Sequence, residues 1–63
     1  MVKERILELL KEVYPLDLPI SEIARRLGVS RITVAKYIAV LEAEGKIEYR
    51  RVGKAKLCKF KEG

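Results

Sequence analysis

Between Ile20 and Leu41 the sequence ISEIARRLGVSRITVAKYIAVL carries helical periodicity on both sides of one glycine, and that interruption limits the possible folds more than any other feature. Apolar residues fall at Ile23, Ala24 and Leu27, stop at Gly28, and resume at Val29, Val34, Tyr37, Ile38 and Leu41. Without a Cβ, Gly28 can take the positive φ that ends one helix, and Ser30 can then cap the next by accepting backbone N–H groups. Two helices joined in this way meet steeply and share one small core, so the far face of the second is left projecting outward. Ala24 allows close approach of the two helices, Val34 plugs their joint, and Gly45 ends the second helix before a strand.

The flanking stretches supply what this pair packs against. Val2, Ile6, Leu9, Leu10 and Val13 form an apolar stripe, widened by Leu7 and Tyr14, which predicts a first helix over about residues 2–14. Pro15 stops it, because proline lacks an N–H and disfavours helix in the preceding residue. In the connector that follows, Leu18-Pro19-Ile20 can add one or two residues at a sheet edge, where proline is tolerated. Ser21 is expected to cap the second helix, over 21–27, with Glu22 favoured near its positive end. Arg25 and Arg26 point outward, and phosphate contact and simple solvation remain equally open for them.

The third helix, over 31–44, has an unusual outer face. With Val34 at the centre of the buried side, steps of about 100° per residue place Ile38, Leu41 and Tyr37 near it and Ile32, Ala35, Lys36, Ala39 and Ala43 opposite. A solvated helix would normally carry several charges there, whereas this face is small and uncharged apart from Lys36. Short side chains suit a helix that must lie deep in the major groove of a duplex. Val40 and Ala43 are compatible with either plain exposure or self-association.

Residues 46–60 read as a hairpin. Gly53-Lys54 suits a tight turn with glycine first, pairing Val52 with Ala55, Arg51 with Lys56, Arg50 with Leu57, Tyr49 with Cys58, Glu48 with Lys59 and Ile47 with Phe60. Ile47, Phe60, Tyr49 and Cys58 then share a core-facing side. Arg50, Arg51, Lys54 and Lys56 crowd toward the tip, where like charges repel, so a polyanionic partner accounts for them better than a guarded edge. Lys61, Glu62 and Gly63 form a tail or the start of a further segment.

Composition removes whole classes of function. Sixty-three residues make one domain, 1–63, that buries only about 60% of its unfolded surface and has no room for an enclosed cleft. Histidine is absent, Cys58 is the only cysteine and Asp17 the only aspartate, so no catalytic, cofactor or metal constellation is expected. Cys58 reads as a small buried apolar residue. No run approaches the ~18 apolar residues of a membrane span, and the N-terminus lacks a signal-peptide core, which points to a cytoplasmic protein without a membrane or small-molecule site. The net charge of +5 favours an acidic partner, and the abundance of Lys, Arg and Glu with no Asn, Gln, His or Trp is similar to thermophile proteins.

The small residue Ala24, Gly28 four later, the run Gly28-Val29-Ser30, the pair Thr33-Val34, the ending Leu41-Glu42-Ala43-Glu44-Gly45-Lys46-Ile47 and the basic hairpin Tyr49 to Phe60 together resemble the winged helix-turn-helix of bacterial and archaeal transcription regulators. The likeness covers nearly the whole chain. It implies an α+β fold, mainly α: a three-helix bundle with a small antiparallel hairpin, the wing. It also implies recognition of double-stranded DNA, with base-reading positions at Arg31, Ile32, Ala35 and Lys36 and phosphate-contacting hydroxyls at Ser30 and Thr33. Arg31 has the geometry for a bidentate bond to guanine, and Ile32 or Ala35 for packing on a thymine methyl. Ser21 at the start of the second helix, and the wing cations Arg50, Arg51, Lys54 and Lys56, would meet the backbone. For Tyr37, core packing and a phosphate contact both stay open. A homodimer, or a place in a longer chain, would enlarge the small footprint. The competing expectation is a winged helix used for protein contact or for nonspecific architectural binding. Left-handed DNA or structured RNA fits less well, because the wing has no tryptophan or proline.

Overall fold

The computed structural model describes residues 1–62; Gly63, the last residue of the expected tail, lies outside them. The order of elements is α1 (Val2–Val13), β1 (Leu18–Pro19), α2 (Ile20–Leu27), α3 (Arg31–Ala43), β2 (Ile47–Val52) and β3 (Ala55–Phe60). Three helices pack on one face of an antiparallel sheet whose strand order is β1-β3-β2.

Each boundary has a local cause. Helix α1 stops one residue short of expectation, because Tyr14 precedes Pro15 and takes the extended backbone that proline imposes on its neighbour, at φ −51° and ψ 136°. Between α2 and α3, Gly28 takes φ 69° and ψ 33°, and its N–H and that of Val29 both bond to the Ala24 carbonyl. At the end of α3 the N–H groups of Gly45 and Lys46 bond back to the carbonyls of Glu42 and Leu41, closing the last turn in a Schellman arrangement. The hairpin pairs in the expected register throughout, from Val52 with Ala55 to Ile47 with Phe60. Gly53 has φ 59° and Lys54 does not have a positive φ, the pattern of a type II′ turn, whose twist matches that of the flanking strands.

One expectation fails at α2. The helix begins at Ile20, not Ser21; Pro19 occupies the N-cap position and Ser21 makes no capping bond. The cause is tertiary: Leu18 pairs with Cys58 and Pro19 with Leu57, so the sheet holds the chain extended through Pro19 and the helix must start at once. Ser21 thereby sits inside the first turn with its side chain exposed.

The core lies where the helices meet the sheet. Ile6 and Leu10 of α1, Ile20, Ile23 and Ala24 of α2, Val34, Ile38 and Leu41 of α3, Ile47 of β2 and Cys58 of β3 are all buried. Each large aliphatic side chain among them stabilises the fold by about 1.5–3 kcal/mol relative to exposure. No polar or charged side chain is buried among the described residues, so the core is held by packing alone. Burial pushes the Cys58 thiol up to about 12, assisted by the charges of Asp17 and Glu42, which keeps it a neutral packing group. Phe60 closes the end of the core, with the Tyr14 ring edge-on at 5.8 Å and Lys11 Nζ 5.6 Å from its centroid. Lys3 Nζ meets Glu44 Oε2 at 2.7 Å and joins the start of α1 to the end of α3.

Candidate nucleic-acid interface

Because Val34, Ile38 and Leu41 are turned into the core, the opposite face of α3 is held out toward solvent. Ile32 is 84% exposed on this face. Arg31, Ala35, Lys36 and Ala39 are exposed with it. The N-terminus of this helix is fixed by Ser30, whose Oγ accepts from the Thr33 N–H at 3.1 Å and donates to Thr33 Oγ1 at 2.9 Å. Tyr37 is half-buried and packs against the core, with Lys36 Nζ 5.8 Å from its ring centroid.

Beside this face the wing tip encloses an open groove of about 390 Å³. Pro19, Ile20 and Ser21 line it from the start of α2, Arg31, Ile32 and Ala35 from α3, and Lys54, Ala55 and Lys56 from the wing. Three cations border the groove and no carboxylate does. Facing cations without a counter-charge raise the local potential and concentrate an anionic ligand there. Six of the residues picked out from the sequence, Ser21, Arg31, Ile32, Ala35, Lys54 and Lys56, therefore share one surface. Pro19, Ile20 and Ala55 join them without having been singled out, because only the β1–β3 pairing brings the start of α2 up to the hairpin. Thr33 and Lys36, on the same helix, are outside the groove lining.

The wing cations do not form one cluster. Side chains alternate across a pleated strand, so Arg51 and its partner Lys56 share the face of Tyr49 and Cys58, while Arg50 shares that of Leu57 and Glu48. On that reverse face Arg50 Nη2 lies 3.1 Å from Asp17 Oδ2. A second depression of about 340 Å³ there is lined by Pro15, Leu16, Asp17, Glu48, Arg50, Leu57 and Lys59, two acids against two bases. The expectation of four like charges gathered for one partner thus separates into a basic front and a balanced back. The expected hairpin register already carried this division in its odd and even positions.

Arg25 and Arg26 are exposed, and each has a partner on its own helix that was not expected from the sequence. Both bond to Glu22, Arg26 Nε at 2.8 Å from Oε2, in the (i, i+3) and (i, i+4) geometry of helix neighbours. Hydrogen bonds first from Arg25 and then from Arg26 hold the Glu22 carboxyl down at about 2. No cluster able to hold a metal ion occurs among the described residues, and no helix among them is long and apolar enough to cross a membrane.

A family profile described as HTH domain matches residues 2–53. Among curated proteins no sequence match was found. The fold is similar to that of reduced HlyU from Vibrio cholerae, at a TM-score of 0.84 and 19% identity over 98% of this chain and 62% of that one. It is similar to the transcriptional repressor BigR from Xylella fastidiosa, at a TM-score of 0.84 and 23% identity over 97% and 59%. It is also similar to a homodimeric winged helix-turn-helix DNA-binding domain, fragment 1–100 of Mb0332 from Mycobacterium bovis, at a TM-score of 0.77 and 23% identity over 89% and 52%. The chain thus spans 52% to 62% of the length of these three chains. With a helix pair joined at Gly28, a profile match over most of its length and the same three helices and wing, the chain belongs to the HTH domain family and has the winged-helix fold.

Proposed function

We propose that this chain is a single DNA-binding module that recognises duplex DNA sequence-specifically and serves in transcription regulation. Helix α3 enters the major groove and the front of the wing follows the adjacent backbone. The observation that carries this reading is the groove bordered by Arg31, Lys54 and Lys56 with no carboxylate, set beside an α3 face of short side chains. Phosphate neutralisation supplies most of the affinity and makes it fall with salt; Arg31, Ile32, Ala35 and Lys36 discriminate between bases. Ser21, Ser30, Thr33 and Arg51 lie where backbone oxygens would pass, and Tyr37 contributes through its hydroxyl while its ring packs on the core. Membership of the HTH domain family supports the target class, and the description of BigR as a transcriptional repressor supports the regulatory role.

A footprint this small gives modest affinity, so we place the module in a homodimer on a dyad-symmetric site or in a longer chain. The homodimeric state of the Mb0332 fragment favours the former. Selection from a random duplex library tests both points. A recovered motif with an inverted repeat is the expected result; equal affinity for selected and random duplexes would overturn sequence-specific reading and leave a nonspecific binder.

A further inference from the structure

The bond between Asp17 and Arg50 crosses the sheet. Leu18 of β1 pairs with Cys58 and Arg50 of β2 pairs with Leu57, while β3 lies between the two outer strands. A contact from Asp17, just before β1, to Arg50 must therefore run diagonally over β3. At 3.1 Å it is also, among the described residues, the one side-chain hydrogen bond that joins the wing to another part of the fold. The rest of the outer wing is held weakly. Strand β1 has two residues, so its backbone ladder with β3 is short, and Arg51, Val52, Lys54, Ala55 and Lys56 are all exposed. A two-stranded ribbon with so little packing swings easily, and its tilt decides how wide the groove beside α3 stands.

We infer that Asp17 is a positioning residue for the wing: acting through Arg50, it straps β2 to β1 across β3, sets the wing tilt beside α3, and withholds the Arg50 charge from the nucleic acid. The inference rests on the duplex-binding reading for its functional consequence, though not for the strap itself. It also explains the electrical asymmetry of the wing. Asp17 and Glu48 balance Arg50 and Lys59 behind, while Arg31, Lys54 and Lys56 stand unopposed in front, so a polyanion is drawn to one face only. Side-chain exposures of 69% for Arg50 and 31% for Asp17 make this an ordinary surface pair in strength. Its effect comes from where it acts, at the root of a lever with few other restraints.

The test compares wild type, Asp17→Ala, Arg50→Ala, the double variant and Lys56→Ala for binding to the selected duplex over a salt series. Near about 0.2 M salt, where remote charges are screened, each of Asp17→Ala and Arg50→Ala should weaken binding by about two- to fivefold, and the double variant no further. Arg50→Ala should leave the slope of log affinity against log salt unchanged, while Lys56→Ala should reduce it by about 0.9. Tighter binding by Asp17→Ala, as simple loss of a negative charge would give, or a slope flattened by Arg50→Ala as by Lys56→Ala, overturns the proposal. Hydrogen exchange on the free proteins separates the strap from the ligand: β2 and β3 amides should exchange faster in both single variants, and unchanged exchange sinks the strap. If the wild type binds no duplex, the DNA reading fails by itself and the exchange measurement still decides.

Discussion

The Ser30 hydroxyl is engaged twice with Thr33, accepting from its backbone N–H at 3.1 Å and donating to its Oγ1 at 2.9 Å. This closes the first turn of α3 in the free protein and leaves the Thr33 hydroxyl hydrogen available to an outside acceptor. Replacement of Ser30 by alanine should destabilise the domain by ~1 kcal/mol, lowering the melting temperature by about 4–8 °C, while Ser30→Asn should recover most of the loss. Thermal melts followed by circular dichroism check both, and an unchanged midpoint for the alanine variant would show that the cap contributes nothing.

Val34 and Ile32 sit two residues apart on α3 with opposite fates, the first fully buried and the second 84% exposed. Val34→Asp should abolish the cooperative melt, because the aspartate would be an unpaired charge in a core without polar partners. Ile32→Asp should melt cooperatively near the wild-type temperature. Retained cooperativity in Val34→Asp would mean that α3 is docked through another face.

On the groove, Arg31 and the wing lysines should separate by kind of effect. Arg31→Ala should cost ~1–3 kcal/mol on the selected duplex and relax preference at one base position, with less change on random duplexes. Lys54→Ala with Lys56→Ala should weaken binding to all duplexes alike and reduce the salt slope by roughly 2. Fluorescence anisotropy on both duplex classes measures this, and identical profiles for the two sets of variants would deny Arg31 any reading role.

Acid should expose the Glu22 clamp. Arg25 and Arg26 hold the Glu22 carboxyl at about 2 in the fold against an ordinary value of 4.5, so the unfolded chain takes up its proton first. The clamp's contribution is then complete above about pH 4.5 and fades as pH falls toward 2. Glu22→Gln should lower the melting temperature at neutral pH and make it less sensitive to pH across that window. Some sensitivity should remain, because Lys3 also holds the Glu44 carboxyl below its usual range. Parallel melting curves for variant and wild type from pH 6 to pH 2, as in a set of roughly unit steps, would show that the clamp is lost to solvent screening.

Much of the architecture was legible because its signals are local. The buried side of α3 follows from a period of 3.6, and the whole hairpin register follows from one glycine turn and a period of 2, so each needs only neighbours within a turn or two. The Glu22 clamp is equally local, written in the spacing of residues 22, 25 and 26, but the same spacing leaves the arginines free to meet water or an outside anion, so the sequence does not single the clamp out. The start of α2 differs from the local signal for a tertiary reason. Ser21 has the chemistry of a cap, but the sheet holds Pro19 extended and leaves no residue to spare before the helix.

Taken alone, the sequence determined three helices, a hairpin with its register, the core residues and the outward face of α3, since each depends on repeats along a short stretch. The register also divided the wing cations between two faces, and tertiary structure alone decided what each face meets, Asp17 behind and Arg31 in front. Asp17 and Arg50 lie 33 residues apart, and nothing in the chain between them encodes their contact until β1 pairs with β3 and β3 with β2. Electrostatic grouping is a property of distance in space: the register divides only the hairpin's own charges, and packing adds Asp17 to one face and Arg31 to the other.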